Sequence, residues 1–128
     1  MCNKILVVDD EKSMRRLLNA ILVEYGFEVD LAVNTREADS FLAGNAYSAV
    51  VVDYQMPEED GIQWITRIQA AGFATPCILI SGGAEDTLRQ ASRHIRLGAL
   101  MCKPFDLTDF VEIVRRHMAN CTCLQTAA

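Results

Sequence analysis

The sequence predicts an α/β domain, a parallel β-sheet with helices on both faces. Five short runs rich in β-branched residues alternate in strict order with five longer runs of helical period. Most of the first, third and fourth short runs are continuously apolar, as strands buried on both faces are. Such alternation requires right-handed crossovers between parallel neighbours, and the crossovers are the helices. A chain of 128 residues with 51% hydrophobic content fits one domain and can bury a core without metal or disulfide support.

The first strand is read at "ILVVD" (5–9). Met14, Leu17, Leu18, Ile21, Leu22 and Tyr25 then recur on one helical face, and Gly26 closes the helix. After a second strand at "FEVDLA" (27–32), Asn34 and Glu37 predict a capping box for a helix that turns Ala38, Phe41 and Leu42 inward and ends at Gly44. The third strand is "SAVVVD" (48–53), and Ile62, Ile65 and Ile68 mark a third helix ending near Gly72, with Trp64 a packed aromatic. The fourth strand is "CILIS" (77–81), followed by a helix carrying Leu88, Ala91, Ile95 and Leu97 as far as Gly98. The fifth is "ALMC" (99–102), and Asp106 caps a last helix with Leu107, Phe110, Val111, Val114 and Met118 inward. In "NCTCLQTAA" the periodicity is lost, so the domain is expected over residues 1–119, with 120–128 a loose polar tail.

A formal net charge of -5 argues against a domain that grips DNA or an acidic membrane surface. The five cysteines, Cys2, Cys77, Cys102, Cys121 and Cys123, are odd in number and scattered, which reads as reduced thiols of a cytoplasmic protein. Cys121 and Cys123 lack the second pair or nearby His that a tetrahedral metal site needs. No apolar run approaches the ~18 residues that span a bilayer.

In open α/β sheets the functional crevice lies outside the carboxyl ends of the strands. There the sequence delivers Asp9, Asp10 and Glu11 after the first strand, Asp53 at the end of the third, Ser81 at the end of the fourth, and Lys103 and Pro104 after the fifth. The second strand contributes only Val33 and Asn34. Clustered carboxylates are unfavourable unless a cation neutralises them, and oxygen ligands with room for water suit Mg²⁺. Mg²⁺ beside a carboxylate, a hydroxyl and an ammonium is equipment for moving a phosphoryl group. The metal and Lys neutralise phosphoryl oxygens, the hydroxyl donates to one, and an ionised Asp serves as covalent acceptor without a general base.

Four motifs, "VVDDE" (7–11), "VVDYQMPEEDG" (51–61), "LISGG" (79–83) and "KPF" (103–105), stand at successive strand ends. In order and spacing they resemble the receiver domain of two-component response regulators, over residues 3–119. The resemblance implies a (βα)5 flavodoxin-like three-layer sandwich with strand order 2-1-3-4-5. It implies that Asp53 is the phosphoacceptor, that Asp10 ligates Mg²⁺ directly and Asp9 mainly through water, and that the main-chain carbonyl of Gln55 adds a ligand. Ser81 and Lys103 would hold phosphoryl oxygens, Lys103-Pro104 would be cis, and Pro57 and Gly61 would shape the loop after the acceptor. Leu100 departs from the family, which usually carries Tyr or Phe at that place, and this bears on signalling through the fourth helix, fifth strand and fifth helix. Gln55 and Gly83 stand where the family tunes the lifetime of the phosphorylated state.

The expected function is therefore a switch and not an enzyme. A sensor histidine kinase or phosphotransfer protein would supply the phosphoryl group, and a downstream effector protein or attached output domain would read the altered surface. Direct binding of nucleic acid or membrane is not expected, and dimerisation through the fourth and fifth helices is open. Two rivals stand beside this reading. One is a degenerate receiver that acts as an unphosphorylated interaction module. The other is a Mg²⁺-dependent aspartyl-phosphate phosphohydrolase like the haloacid-dehalogenase family, which wants a second Asp where this chain has Gln55. His94 and His117 are expected inside the fourth and fifth helices, away from the crevice, and Arg15-Arg16 and Arg115-Arg116 as solvated faces. Tyr54, beside the acceptor, is a loop contact or a gate.

Overall fold

The computed structural model describes residues 3–127, with side chains as far as residue 117. The elements run β1 (Lys4–Val8), α1 (Lys12–Glu24), β2 (Glu28–Ala32), α2 (Thr35–Gly44), β3 (Ala49–Asp53), α3 (Gly61–Ala70), β4 (Cys77–Ser81), α4 (Glu85–Ala91), β5 (Ala99–Cys102) and α5 (Leu107–Ala127). All four strand pairings are parallel and the sheet order is β2-β1-β3-β4-β5. Leu31, Val7, Val51, Ile78 and Ala99 form one row across the sheet, so the carboxyl ends of β1, β3 and β4 come out side by side.

Alternate residues of each strand face opposite layers, and the apolar content of β1, β3 and β4 supplies both. Leu6, Val8, Val50, Val52 and Leu79 meet Ala38 and Leu42 of α2, Ile62, Trp64, Ile65 and Ile68 of α3 and Leu88 of α4. Ile5, Val7, Val51, Ile78 and Ile80 meet Leu18 and Leu22 of α1 and Phe110, Val111 and Val114 of α5. Each such side chain, fully buried, contributes roughly 1.5–3 kcal/mol of transfer free energy. Asp60 caps α3 through a full capping box with Gln63.

The structure departs from the sequence reading in several places. The fourth helix stops at Ala91, well short of Gly98. The Ser92 hydroxyl donates to the Leu88 carbonyl at 2.7 Å, and residues beyond it turn back through Arg93 N–H to Gln90 and Ile95 N–H to Ser92. A hydroxyl that competes for backbone partners favours such an end. Ile95 and Leu97 still pack on the core, so the period marked the inward residues but not the helix. His94 therefore lies in a turn and not in α4. On α1 the buried stripe is narrower than expected, since Leu17 and Tyr25 are 44% and 42% exposed. The box at Asn34 is shifted: its side chain accepts from Glu37 N–H, but the Glu37 carboxylate accepts from Val33 N–H. Helix α5 is bounded at Ala127, and no Gly or Pro falls within it. The expectations for Met118, Cys2, Cys121 and Cys123 fall outside the described side chains.

Candidate functional site

The ladder between β1 and β2 runs one step past the strands, because Asp9 N–H donates to the Ala32 carbonyl at 3.1 Å. This draws Asp9 under the sheet edge, where it is only 1% exposed. One of its carboxylate oxygens accepts from Glu11 N–H at 2.9 Å, and its carbonyl accepts from Arg15 Nη1 at 2.8 Å. Asp10 stays exposed, whereas Asp53, at the end of β3, is 6% exposed. One carboxylate oxygen from each of Asp9, Asp10 and Asp53 lies within 4.8 Å of the others.

The electrostatics of this cluster are unresolved by protein groups alone. Burial pushes the Asp9 carboxyl up to about 6, against the Glu11 N–H that favours its ionised form, and the neighbouring Asp53 charge pushes it further. Burial also raises Asp53, opposed by the Lys103 charge and by the nearby Gln55 backbone N–H. Lys103 Nζ stands 3.6 Å from Asp53 Oδ1, an ion pair too long for a good hydrogen bond. Asp53 Oδ1 is buried without a hydrogen-bond partner. Such an atom in a native fold calls for an explanation, and a cation held by three carboxylates is one the donor set fits.

Ser81 is fully buried at the end of β4. Its hydroxyl accepts from Gly83 N–H at 2.9 Å, which keeps its own proton available for an anion. Its carbonyl accepts from Lys103 N–H at 2.7 Å, so the exits of β4 and β5 are tied together. The Lys103-Pro104 peptide is cis, as the resemblance implied. Gly61 is needed at the start of α3, because a Cβ there would lie 2.7 Å from the Asp53 carbonyl oxygen and 2.9 Å from Leu79 Cδ1. In the loop between, Glu59 N–H donates to the Pro57 carbonyl at 2.8 Å and Glu58 takes a φ of 72°.

The structure thus gathers Asp9, Asp10, Asp53 and Lys103 around one point, with Ser81 on the adjoining strand and Gln55 two residues beyond Asp53. Tyr54 and Leu100 are half-buried and pack on the core cluster of the α2–α4 side, Leu100 at the rim of a 370 Å³ groove. His94 Nε2 lies 2.7 Å from Thr66 Oγ1, and the His117 ring lies against Gly98, so the histidines serve element packing. Arg15, expected on a solvated face, instead holds the Asp9 backbone. The only signal was a cation on the first turns of the helix after the acids. Arg115 lies 5.1 Å above the Tyr25 ring.

Comparison with known proteins gives a consistent result. A family model described as the response regulator receiver domain matches residues 5–115. The regulatory protein AtoC of Escherichia coli (strain K12) is 38% identical over 118 residues, which cover 91% of this chain and 25% of that protein. The transcriptional regulatory protein SrrA of Staphylococcus aureus is 35% identical over 87% of this chain and 46% of its own length. The chain thus spans about a quarter to a half of these curated relatives. Among solved structures, the receiver domain of the Francisella response regulator 1452 superposes with a TM-score of 0.87 at 24% identity, over 92% of this chain and 98% of that one. The chemotaxis protein CheY4 of Vibrio cholerae does so with 0.82 at 24% identity, over 91% and 98%. At that identity the two structures establish the fold.

Proposed function

The chain belongs to the response regulator receiver domain family, and from that premise we propose that it is a Mg²⁺-dependent phosphoacceptor whose acceptor is Asp53. One observation carries the assignment to this residue. Asp53 offers a buried carboxylate oxygen with no hydrogen-bond partner, 3.6 Å from an ammonium and within a cluster of three acids. Asp9, Asp10, Asp53 and the Gln55 carbonyl would hold the metal. When bound, Mg²⁺ supplies positive charge to the phosphoryl oxygens. Asp53 is the nucleophile. Its oxygen forms the new bond to phosphorus as the bond from phosphorus to the donor imidazole nitrogen breaks, which needs no general base. Lys103 pairs with one phosphoryl oxygen and the Ser81 hydroxyl donates to another.

The donor is a phosphohistidine of a sensor histidine kinase or phosphotransfer protein, and the reader is an effector protein or an attached output domain, in the cytoplasm. The domain acts as a switch and not as an enzyme on an external substrate. Among the described residues no helix is long and apolar enough to cross a membrane.

The test is intact-mass spectrometry after incubation with acetyl phosphate, with and without Mg²⁺, on the native chain and on Asp53→Asn. One phosphoryl group is expected, and it requires both the metal and Asp53. No gain by a chain that binds Mg²⁺ would overturn the proposal in favour of a module that works by shape alone.

A further inference from the structure

The loop between β3 and α3 carries a residue in left-handed backbone, Glu58 with a φ of 72°, which a non-glycine side chain keeps only where the surroundings hold it. Glu58 itself pairs with Arg36 at 3.6 Å, and beside it stands a set of charged groups that the proposed phosphotransfer leaves unused. Glu59 is gripped side-on by Arg67, from Nε at 2.9 Å and Nη2 at 2.8 Å. The same Nη2 donates to Asp39 Oδ2 on α2 at 2.9 Å. The other Asp39 oxygen accepts at 2.9 Å from the indole N–H of Trp64, which is fully buried. The chain of contacts therefore runs from the core, through Trp64 and Asp39, to Arg67 and then to the loop.

We propose that Arg67 is a positioning residue, clamping the loop after Asp53 to α2 so that the Gln55 peptide, four residues before Glu59, is presented to the acceptor and its metal. The inference rests on the function proposed above and deepens it. The loop leaves β3 at Asp53 itself, and the nearby Gln55 N–H favours the ionised form of that carboxylate, so loop movement is felt at the acceptor. Bidentate Arg–carboxylate geometry fixes orientation as well as distance. The Arg67 side chain is half exposed, so the pair adds little to global stability and its effect is local.

The sign of the metal response separates positioning from bulk electrostatics. Removing a cation from an acidic domain makes the field more negative, which by itself tightens Mg²⁺ binding. Looser binding after loss of Arg67 can come only through geometry. The experiment uses the full chain and the variants Arg67→Met and Arg67→Lys. Amide hydrogen exchange at Gln55, Met56, Glu58 and Glu59 is measured in EDTA, with the β4 amides as an internal check of the fold, and Mg²⁺ affinity is measured by calorimetry. In Arg67→Met we expect loop exchange to rise about tenfold with β4 unchanged. We expect Mg²⁺ to bind about tenfold more weakly, the lower end for losing a group that supports a metal ligand. Arg67→Lys, which keeps the charge and loses the fork, should fall between. Unchanged loop exchange overturns the clamp, and Mg²⁺ affinity unchanged or tighter overturns its role at the site. A native chain that binds no Mg²⁺ overturns the function proposed above, while the exchange result still decides the clamp.

Discussion

At the amino-terminal edge of the sheet, Lys4 sits 3.4 Å from Asp30 and 3.9 Å from Glu28, and its ammonium donates to Asn45 at 2.9 Å. The buried Tyr47 hydroxyl donates to Asp30 at 2.7 Å, and Lys4 also lies 5.5 Å from the Tyr47 ring. Every charged group there meets a partner. At the carboxyl edge of the same strands, three acids share one ammonium, and the buried Asp53 oxygen that faces it at 3.6 Å accepts no hydrogen bond. Both edges concentrate charge around β1 and its neighbours. The paired edge serves the fold, and the other edge holds electrostatic free energy that a bound cation can release.

The sharpest way to break this comparison is pH. Because burial raises the Asp9 carboxyl to about 6, the folded chain keeps a proton that the unfolded chain has released above about pH 4. The metal-free domain should therefore lose stability as pH rises from about 4 to 6, on the order of 2–3 kcal/mol, and Mg²⁺ should restore it. Thermal unfolding across that range in EDTA and in Mg²⁺ measures both, and a metal-free midpoint that rises with pH would refute this account of the carboxyl edge. Glu59 has the opposite sign: Arg67 holds its carboxyl down, so its contribution is present above the ordinary glutamate range and lost as pH falls below it.

A smaller effect is expected from Asp53→Asn. It relieves a buried charge while Lys103, at the crevice mouth, can turn to solvent, so metal-free stability at pH 7 should rise by about 1 kcal/mol as function is lost. Chemical denaturation in EDTA is the measurement, and a fall instead of a rise would place Asp53 with the structural acids. The smallest effect belongs to the other edge. Tyr47→Phe removes one buried hydrogen bond while Asp30 keeps Lys4, so stability should fall by about 1 kcal/mol or slightly less, with Mg²⁺ affinity unchanged by calorimetry.

What was legible in the sequence follows the same division. Apolar runs of strand length at 5–8, 49–52 and 77–80 announce buried parallel strands, and groups placed just after them must arrive at one edge, so Asp9, Asp53 and Ser81 could be named in advance. The sheet order came only through the resemblance, since periodicity does not say which strands are neighbours. The end of α4 was missed because Ser92 stops the helix by a local bond while Ile95 and Leu97 keep the apolar rhythm going. Arg15, Tyr47 and Arg67 were missed for a different reason. Their partners, a main-chain carbonyl, an acid on another strand and acids on another helix and a loop, are set by tertiary geometry that no local spacing encodes.

The single tryptophan of this chain is the residue that anchors Asp39 from below. Its indole is fully buried and hydrogen-bonded to the acid that Arg67 also holds. The domain therefore carries its own optical label, placed at the α2–α3 junction. Any change in intrinsic emission colour or quantum yield during metal loading or the proposed phosphoryl transfer reports the junction behind the loop after Asp53, with no dye attached and no residue replaced.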